Sequence, residues 1–150
     1  MLNQPKVKIE IGEIFRVSVA KQLARPLFST RVAAGFPSPA EDYIEGRIDL
    51  NKELIKHPAA TFYMRVTGDS MIDAGILPNA LIIVDVMEEA RDGHIIVARL
   101  NNDLCIKKFS LSESGAICLK PANDLYQPIE VRPDDDFQVW GRVMHAVTSF

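Results

Sequence analysis

The chain has 150 residues, which suits one modest domain with an appendage. Hydrophobic residues make up 47% of it and charged residues 25%, so it can bury a core and has the composition of an ordinary soluble protein. No apolar run approaches the ~18 residues that a membrane helix needs, and the first residues lack the apolar centre of a secretory signal. We therefore expect a cytoplasmic protein with no membrane partner.

The net charge of −3 is distributed unevenly. Residues 1–34 hold six basic and two acidic side chains, whereas residues 35–150 hold eleven basic and eighteen acidic ones. A basic arm is attracted to an acidic body, so the arm is expected to lie against it. Binding of the arm to nucleic acid ranks second, because its basic residues are not clustered and it has few aromatic side chains.

Neither the cysteines nor the acidic run indicates a metal site. Cys105 and Cys118 lie in apolar stretches without CxxC spacing or a nearby histidine cluster, which favours reduced, buried thiols. Asp134–Asp136 follows Pro133 and is better interpreted as a solvated turn. We expect no metal and no cofactor.

The first elements in chain order are short. Residues 7–11 alternate apolar and charged side chains, which indicates a strand-like segment. Arg25–Phe28 is predicted to be extended, because the residue before a proline avoids the helical region. Residues 33–40 contain two prolines and a glycine among small residues, which predicts a linker.

One helix is predicted after the linker. Asp49 can cap its start, Leu50, Leu54 and Ile55 supply an apolar face, and Pro58 ends it.

The rest of the chain is rich in strand signals and turns. β-Branched and aromatic residues mark six segments, at 62–66, 81–84, 94–100, 104–109, 116–119 and 137–147. Turn residues at 92–93 and 101–103 separate three of them, and the second of these turns predicts a hairpin. This pattern predicts a compact, mostly β domain of short, largely antiparallel strands.

A serine on a glycine-containing turn follows the first of these strands, in Gly68-Asp69-Ser70-Met71. Such a turn can expose the hydroxyl, and its backbone N–H groups can stabilise an oxyanion. On physical grounds alone a turn-capping serine is the favoured interpretation, because Gly-Asp-Ser is common turn chemistry. Asp69 is interpreted as a turn former.

Two adjacent lysines in a strand point to opposite faces of the sheet. Lys107 shares its face with Cys105, and Lys108 shares its face with Ile106, so either lysine can be buried. Burial favours the neutral amine, which can act as a base toward a serine hydroxyl. The alternative is that both lysines lie at a sheet edge, where lysine deters aggregation. The residues alone do not choose between Lys107 and Lys108.

Other candidates for chemistry are weaker. His57, His94 and His145 are far apart in sequence and are interpreted as structural. Ala34-Gly35 joins two small residues in a proline-flanked, extended segment, which fits a narrow protease cleft. A plain flexible linker is the alternative.

Taken together, these motifs resemble the LexA/UmuD family of self-cleaving serine–lysine peptidases, and its UmuD-type translesion polymerase accessory proteins in particular. The resemblance covers about residues 27–150. It is carried by the linker Ala34-Gly35-Phe36-Pro37-Ser38-Pro39-Ala40, by Arg47–Asn51, Gly68–Asp73 and Ile83–Asp85, by Lys107-Lys108 and by Val139–Val143. The first ~25 residues look longer than the usual arm and match the family pattern poorly.

The resemblance implies a serine endopeptidase that cuts its own chain. Ser70 would be the nucleophile, Lys107 its base, and Ala34-Gly35 the cleaved bond. Residues 1–34 would form a mobile N-terminal arm that is removed on self-cleavage. Residues 35–150 would form the β-rich peptidase and dimerisation domain.

The resemblance also implies partners. They are a second copy in a homodimer, a RecA filament on single-stranded DNA that promotes cleavage, and a UmuC-like polymerase subunit that the trimmed form joins in SOS mutagenesis. No sequence-specific DNA binding is expected. The alternatives are a non-catalytic polymerase-binding module and a LexA-like repressor fragment; residues 1–34 are too few for a helix-turn-helix domain, which disfavours the repressor.

Overall fold

β-Strands dominate the parts of the chain that the computed structural model describes, which are residues 11–16, 23–28, 32, 34–35 and 44–150. The strands are β1 (Ile11–Arg16), β2 (Arg25–Phe28), β3 (Ile44–Ile48), β4 (Thr61–Val66), β5 (Leu81–Asp85), β6 (Ile95–Leu100), β7 (Asp103–Leu111), β8 (Ile117–Lys120), β9 (Ile129–Glu130) and β10 (Phe137–Val147). Helix α1 spans Leu50–Leu54, and two 3₁₀ turns span Pro58–Ala60 and Ile72–Ala74. None of the described helices is long and apolar enough to cross a membrane.

Eight of these strands form one sheet in the order β1-β4-β5-β10-β6-β7-β8-β9, and β2 pairs with β3 in a second sheet. Neighbouring strands in both sheets run antiparallel. The prediction of a mostly β, largely antiparallel domain is confirmed. The six segments predicted as strands correspond to β4, β5, β6, β7, β8 and β10.

The hairpin between β6 and β7 has the predicted turn. Asn101 and Asn102 adopt positive φ angles of 50° and 75°, and Leu100 pairs with Asp103 across them. Two consecutive left-handed residues form the tight turn whose twist matches that of the flanking strands. This turn fixes the register of every β6–β7 pair beyond it.

The acidic run lies in a turn beside this hairpin, as expected. The Asn101 side chain donates a hydrogen bond to Asp135, and the Asp136 backbone N–H donates to the Asn101 side chain. The hydrogen bond from Asn101, and then one from the Arg132 backbone N–H, lower the pKa of Asp135. These bonds tie the start of β10 to the hairpin.

The core occupies both faces of the central strands. On β6, Ile96 and Ala98 belong to one hydrophobic cluster, and Val97 between them belongs to the other. On β7, Cys105 belongs to the same cluster as Ile96, and Ile106 belongs to the same cluster as Val97. A strand buried on both faces needs apolar residues at successive positions, which explains why the runs in the sequence are continuous rather than alternating.

Helix α1 begins as predicted, but it ends at Leu54, before Pro58, and its face differs from the prediction. Asp49 caps it by accepting a hydrogen bond from the Asn51 backbone N–H, and Ile55 closes it with a bond to the Asn51 carbonyl. Ile55 is buried, but Leu50 is 62% exposed. The predicted apolar face is therefore wrong at Leu50, because a single helical turn is too short to bury a continuous stripe.

The arm contributes more regular structure than the sequence indicates. Strand β1 pairs with β4, although the alternating pattern covers only residues 7–11, of which 7–10 lie outside the described residues. Strand β2 confirms the extended Arg25–Phe28 segment. In the linker only Ala34 and Gly35 are described, as an exposed bend.

Gly141 allows the long strand β10 to approach β5 closely. The β10–β6 register shifts between Val139 and Gly141, which marks a bulge. A Cβ atom at position 141 would lie 2.6 Å from Val84 Cγ1 and 3.2 Å from the Asp85 carbonyl oxygen. The second contact is with backbone, which cannot rotate away.

We expect Gly141→Ala to lower the free energy of unfolding by ~1–3 kcal/mol, because overpacking displaces the neighbouring strand. Urea unfolding followed by tryptophan fluorescence measures the change. Gly46→Ala is the matched control, because a Cβ atom there meets nothing within 4 Å, and it should shift stability by less than ~0.5 kcal/mol. Equal effects of the two substitutions would contradict this assignment.

Candidate active site

Ser70 lies in the turn that follows β4 and is buried, with 1% of its surface exposed. A 3₁₀ turn begins two residues later, at Ile72, and is closed by Gly75, whose left-handed φ of 82° favours glycine. The sequence suggested an exposed hydroxyl on this turn. In the structure the hydroxyl points inward and does not serve as a turn cap.

Lys107 lies in β7 and is also buried, at 5% exposure, whereas Lys108 is exposed. Its Nζ atom donates a 2.8 Å hydrogen bond to Ser70 Oγ. The structure therefore places Lys107, and not Lys108, against Ser70. Lys107 is also the lysine that the family resemblance implies. Their catalytic roles remain a prediction.

The β6–β7 register decides which lysine is buried. Lys107 pairs with Ile96 and Lys108 with Ile95, in the register that the two-residue turn sets. A slip of one residue would exchange the two faces and bring Lys108 inward instead. The turn at Asn101-Asn102 thus determines the direction of the Lys107 side chain at the far end of the hairpin.

A loop over residues 121–126 holds the serine turn from outside the strands. The Ala122 backbone N–H donates a 2.8 Å bond to the Ser70 carbonyl, and the Asp73 N–H donates a 2.9 Å bond to the Ala122 carbonyl. The buried Asn123 side chain donates a 3.0 Å bond to the Asp69 carbonyl and accepts one from the Leu125 N–H. These bonds fix the backbone on both sides of Ser70.

Tyr126 in the same loop contacts Asp69, the residue before Ser70, and lies near Lys107. Its hydroxyl donates a short hydrogen bond to the Asp69 carboxylate. Its ring centroid lies 6.0 Å from Lys107 Nζ, within reach of a cation–π interaction. Asp69 thus contacts a tyrosine rather than a histidine, in line with its interpretation as a turn residue.

Asn123 and Tyr126 were not found by sequence reasoning. The dipeptide Asn123-Asp124 signals a turn, but nothing local shows that this turn packs on Ser70. The hydrogen bond from Asn123 joins residues 54 positions apart, so only the folded chain places them together.

The target bond predicted from the sequence lies at the surface. Ala34 and Gly35 are both exposed, whereas Ser70 and Lys107 are in the interior. The fold therefore provides a preassembled hydroxyl–amine pair, and the predicted target bond does not share its buried position.

Two of the three histidines have structural contacts, as expected. His57 Nδ1 lies 2.7 Å from the buried Asp85 carboxylate, and His94 Nδ1 accepts a hydrogen bond from the Arg91 backbone N–H. His145 lies half-buried in β10.

Around His57 is a small charged network that the sequence did not reveal. Side-chain atoms of His57, Asp85 and Glu88 lie within 4.8 Å of one another, a grouping that can hold a metal ion. Glu88 also lies 3.4 Å from Lys56 Nζ and 3.3 Å from Arg142 Nη1. Two cationic side chains on the same carboxylate disfavour a bound cation, so the cluster fits an ion-pair network better than a metal site.

Comparison with known proteins identifies the family of the chain. The Peptidase S24-like family profile matches residues 26–144, which include Ser70, Lys107 and Tyr126. The chain belongs to the Peptidase S24-like family. It is therefore related to serine peptidases of the LexA/UmuD type, and its buried hydroxyl–amine contact lies within the matched region.

Several relatives match most of this S24-like chain. Protein ImpA of Salmonella typhimurium is 38% identical over 123 residues, which are 82% of this chain and 83% of that protein. Protein MucA of Escherichia coli is 34% identical over 137 residues, 90% of this chain and 92% of that protein. The LexA repressor of Clostridium perfringens is 39% identical over 120 residues, 80% of this chain but 57% of the repressor.

We expect Asn123→Ala to lower the free energy of unfolding by ~1–3 kcal/mol, because the Asp69 carbonyl loses its donor in a largely buried place. Urea unfolding measures the loss. Asp124→Ala changes the exposed neighbour in the same loop and should alter stability by less than ~0.5 kcal/mol. If both substitutions are neutral, the loop does not hold the serine turn.

Proposed function

We infer that this S24-like chain is a self-cleaving serine endopeptidase whose trimmed form is an accessory subunit of a translesion DNA polymerase in SOS mutagenesis. Ser70 and Lys107 cut the Ala34-Gly35 bond, which separates the arm at 1–34 from the body at 35–150. The observation that carries the proposal is the 2.8 Å contact between two buried groups, Ser70 Oγ and Lys107 Nζ.

The pair is suited to acyl transfer without a histidine. The neutral amine of Lys107 takes the proton from Ser70 Oγ, and the oxygen attacks the carbonyl carbon of Ala34. Collapse of the tetrahedral intermediate breaks the C–N bond, and the Gly35 amine leaves with the proton that Lys107 returns. Water then hydrolyses the ester between Ser70 and Ala34, which frees the hydroxyl again.

Burial supports this chemistry in two ways. Ser70 is buried, and the low polarity of its surroundings strengthens electrostatic stabilisation by backbone N–H groups of the Gly68–Met71 turn. The loop at 121–126 holds that turn rigidly, so little reorganisation is needed at the moment of attack. Cleavage at such a preassembled site depends on whether the target segment reaches it.

Control then lies in the delivery of the arm. The substrate is part of the same polypeptide, so its effective concentration is high and its affinity can be low. Because the target bond is exposed and the pair is buried, cleavage waits for a conformation in which the bond enters the site. The resemblance to the LexA/UmuD family supports a RecA filament as the promoter of that step, and a homodimer as the acting form.

A binding role that outlasts the single cut is the second function. Side chains such as Met87, Leu125 and Phe150 are large, apolar and exposed, at 68%, 85% and 116% relative exposure. Contiguous patches of such residues mark contact surfaces for other proteins, and these side chains are the candidates for one here. The UmuD-type resemblance supports a UmuC-like polymerase subunit as the partner.

We expect the purified protein to cut itself at Ala34-Gly35 when incubated at alkaline pH, where the neutral form of an amine is more abundant. Ser70→Ala and Lys107→Ala should reduce the rate by on the order of 10³-fold or more, since each removes one reacting group. Lys108→Ala is the matched control and should cleave normally. Intact mass spectrometry identifies the bond; cleavage by Ser70→Ala, or at another bond, would refute the proposal.

A second experiment separates the cut from the lasting role. We expect a Ser70→Ala protein supplied already trimmed, beginning at Gly35, to support mutagenic bypass as fully as the trimmed wild type, because binding does not use the hydroxyl. Full-length Ser70→Ala should not support it. Mutation frequency after DNA damage is the measurement, and equal activity of the two Ser70→Ala forms would show that trimming is unnecessary.

A further inference from the structure

The two edges of the eight-stranded sheet differ in how they are protected. One edge is β9, a strand of two residues, Ile129–Glu130, with Pro128 before it and Pro133 shortly after it. Short strands, charges and prolines are the devices that prevent a sheet edge from pairing with another chain. The other edge is β1, which belongs to the arm and covers β4.

Strand β4 has few of these devices. It is six residues long, Thr61–Val66, and contains β-branched and aromatic residues without a proline. Arg65 is its one charged residue, and it lies on the exposed side. With β1 removed, the outer side of β4 would present a row of backbone N–H and C=O groups that suits an incoming strand.

The proposed cut would detach β1 from its neighbour. Both β1 and β2 precede the Ala34-Gly35 bond, whereas their partners β4 and β3 follow it. The detachment of β1 rests on the proposed function. Before the cut, β1 is held at β4 partly by its tether; afterwards it remains only by its own affinity.

The pairing of β1 with β4 is irregular, which favours its release. Its register with β4 shifts between Ile11 and Ile14, so the six-residue strand makes an interrupted ladder. Short strand pairs are marginally stable in water unless further packing supports them. Loss of the tether therefore converts a covered edge into an accessible one.

We propose that the outer edge of β4 is a strand-binding site, which β1 occupies in the intact chain and which an extended segment of a protein partner occupies after cleavage. The partner segment adds antiparallel to β4, as β1 does, through backbone hydrogen bonds. It therefore needs about six residues in extended conformation with no proline. The arm is then a built-in competitor for the site.

The test compares three proteins that all carry Ser70→Ala, so none can cleave itself. They are the full chain, the full chain with Ile14→Pro and Phe15→Pro in β1, and the form that begins at Gly35. Amide hydrogen exchange, followed by NMR, gives an exchange rate for each backbone N–H group of β4. Successive N–H groups of β4 point alternately toward β5 and toward β1, so the two sides of the strand are measured separately. The members of both hydrophobic clusters lie at residue 64 or later, so the trimmed form retains them.

We expect the β1-facing amides of β4 to exchange at least ~10-fold faster in the second and third proteins than in the first, and the β5-facing amides to stay slow. A synthetic peptide of residues 9–18, added at millimolar concentration, should restore slow exchange in both. The same peptide with prolines at positions 14 and 15 should not.

Two results would overturn the proposal. One is equal exchange of the β1-facing amides in all three proteins, and the other is a peptide that leaves β4 unchanged or acts equally well with its prolines. The outcome does not depend on peptidase activity, because the trimmed form is produced directly. Failure here would therefore leave the cleavage proposal standing, and failure of the cleavage assay would leave the strand site standing.

Discussion

The contact between Ser70 Oγ and Lys107 Nζ is the constraint on which the rest of this structure depends. Both groups are removed from water, and a buried polar group is tolerated only when it is hydrogen-bonded. Each therefore satisfies the other, and the same proximity makes the pair suited to acyl transfer. The same hydrogen bond satisfies two buried polar groups and aligns the proposed nucleophile with its base. A change that displaces either residue therefore affects both stability and the proposed chemistry.

Two separate devices hold this contact. The turn at Asn101-Asn102 sets the β6–β7 register and so turns Lys107 rather than Lys108 inward. The loop at 121–126 fixes the other partner by bonding the backbone at Asp69 and Ser70. Neither device touches the reacting atoms. Precision at the site comes from strand register and backbone hydrogen bonds, which are stiff, rather than from side-chain rotamers, which are not.

The arm is bound to the body through backbone pairing at two places, β1 on β4 and β2 on β3. Such pairing depends little on side-chain identity, in line with the weak strand signals of the arm and with a family profile that begins at residue 26. The exposed bend at Ala34-Gly35 lies between β2 and β3. In the proposed function, a single cut there would release both strands at once, which links the proposed cleavage to the proposed strand site on β4.

Local patterns in the sequence predicted most of the strands and turns. The runs of β-branched residues, the turn dipeptides and the Asp49 cap each determine the structure of only a few neighbouring residues. They also singled out Ser70, the lysine pair and Ala34-Gly35, since these motifs are contiguous. Without the family resemblance, the residues did not choose between Lys107 and Lys108, and tertiary structure decided which lysine is buried. It also decided the supports from Asn123 and Tyr126, the exposure of Leu50 and the position of β1. These features depend on which face of a strand is buried or on which distant segment packs against a residue. Contacts between residues 37 or 54 positions apart produce no periodic pattern in the sequence that could predict them.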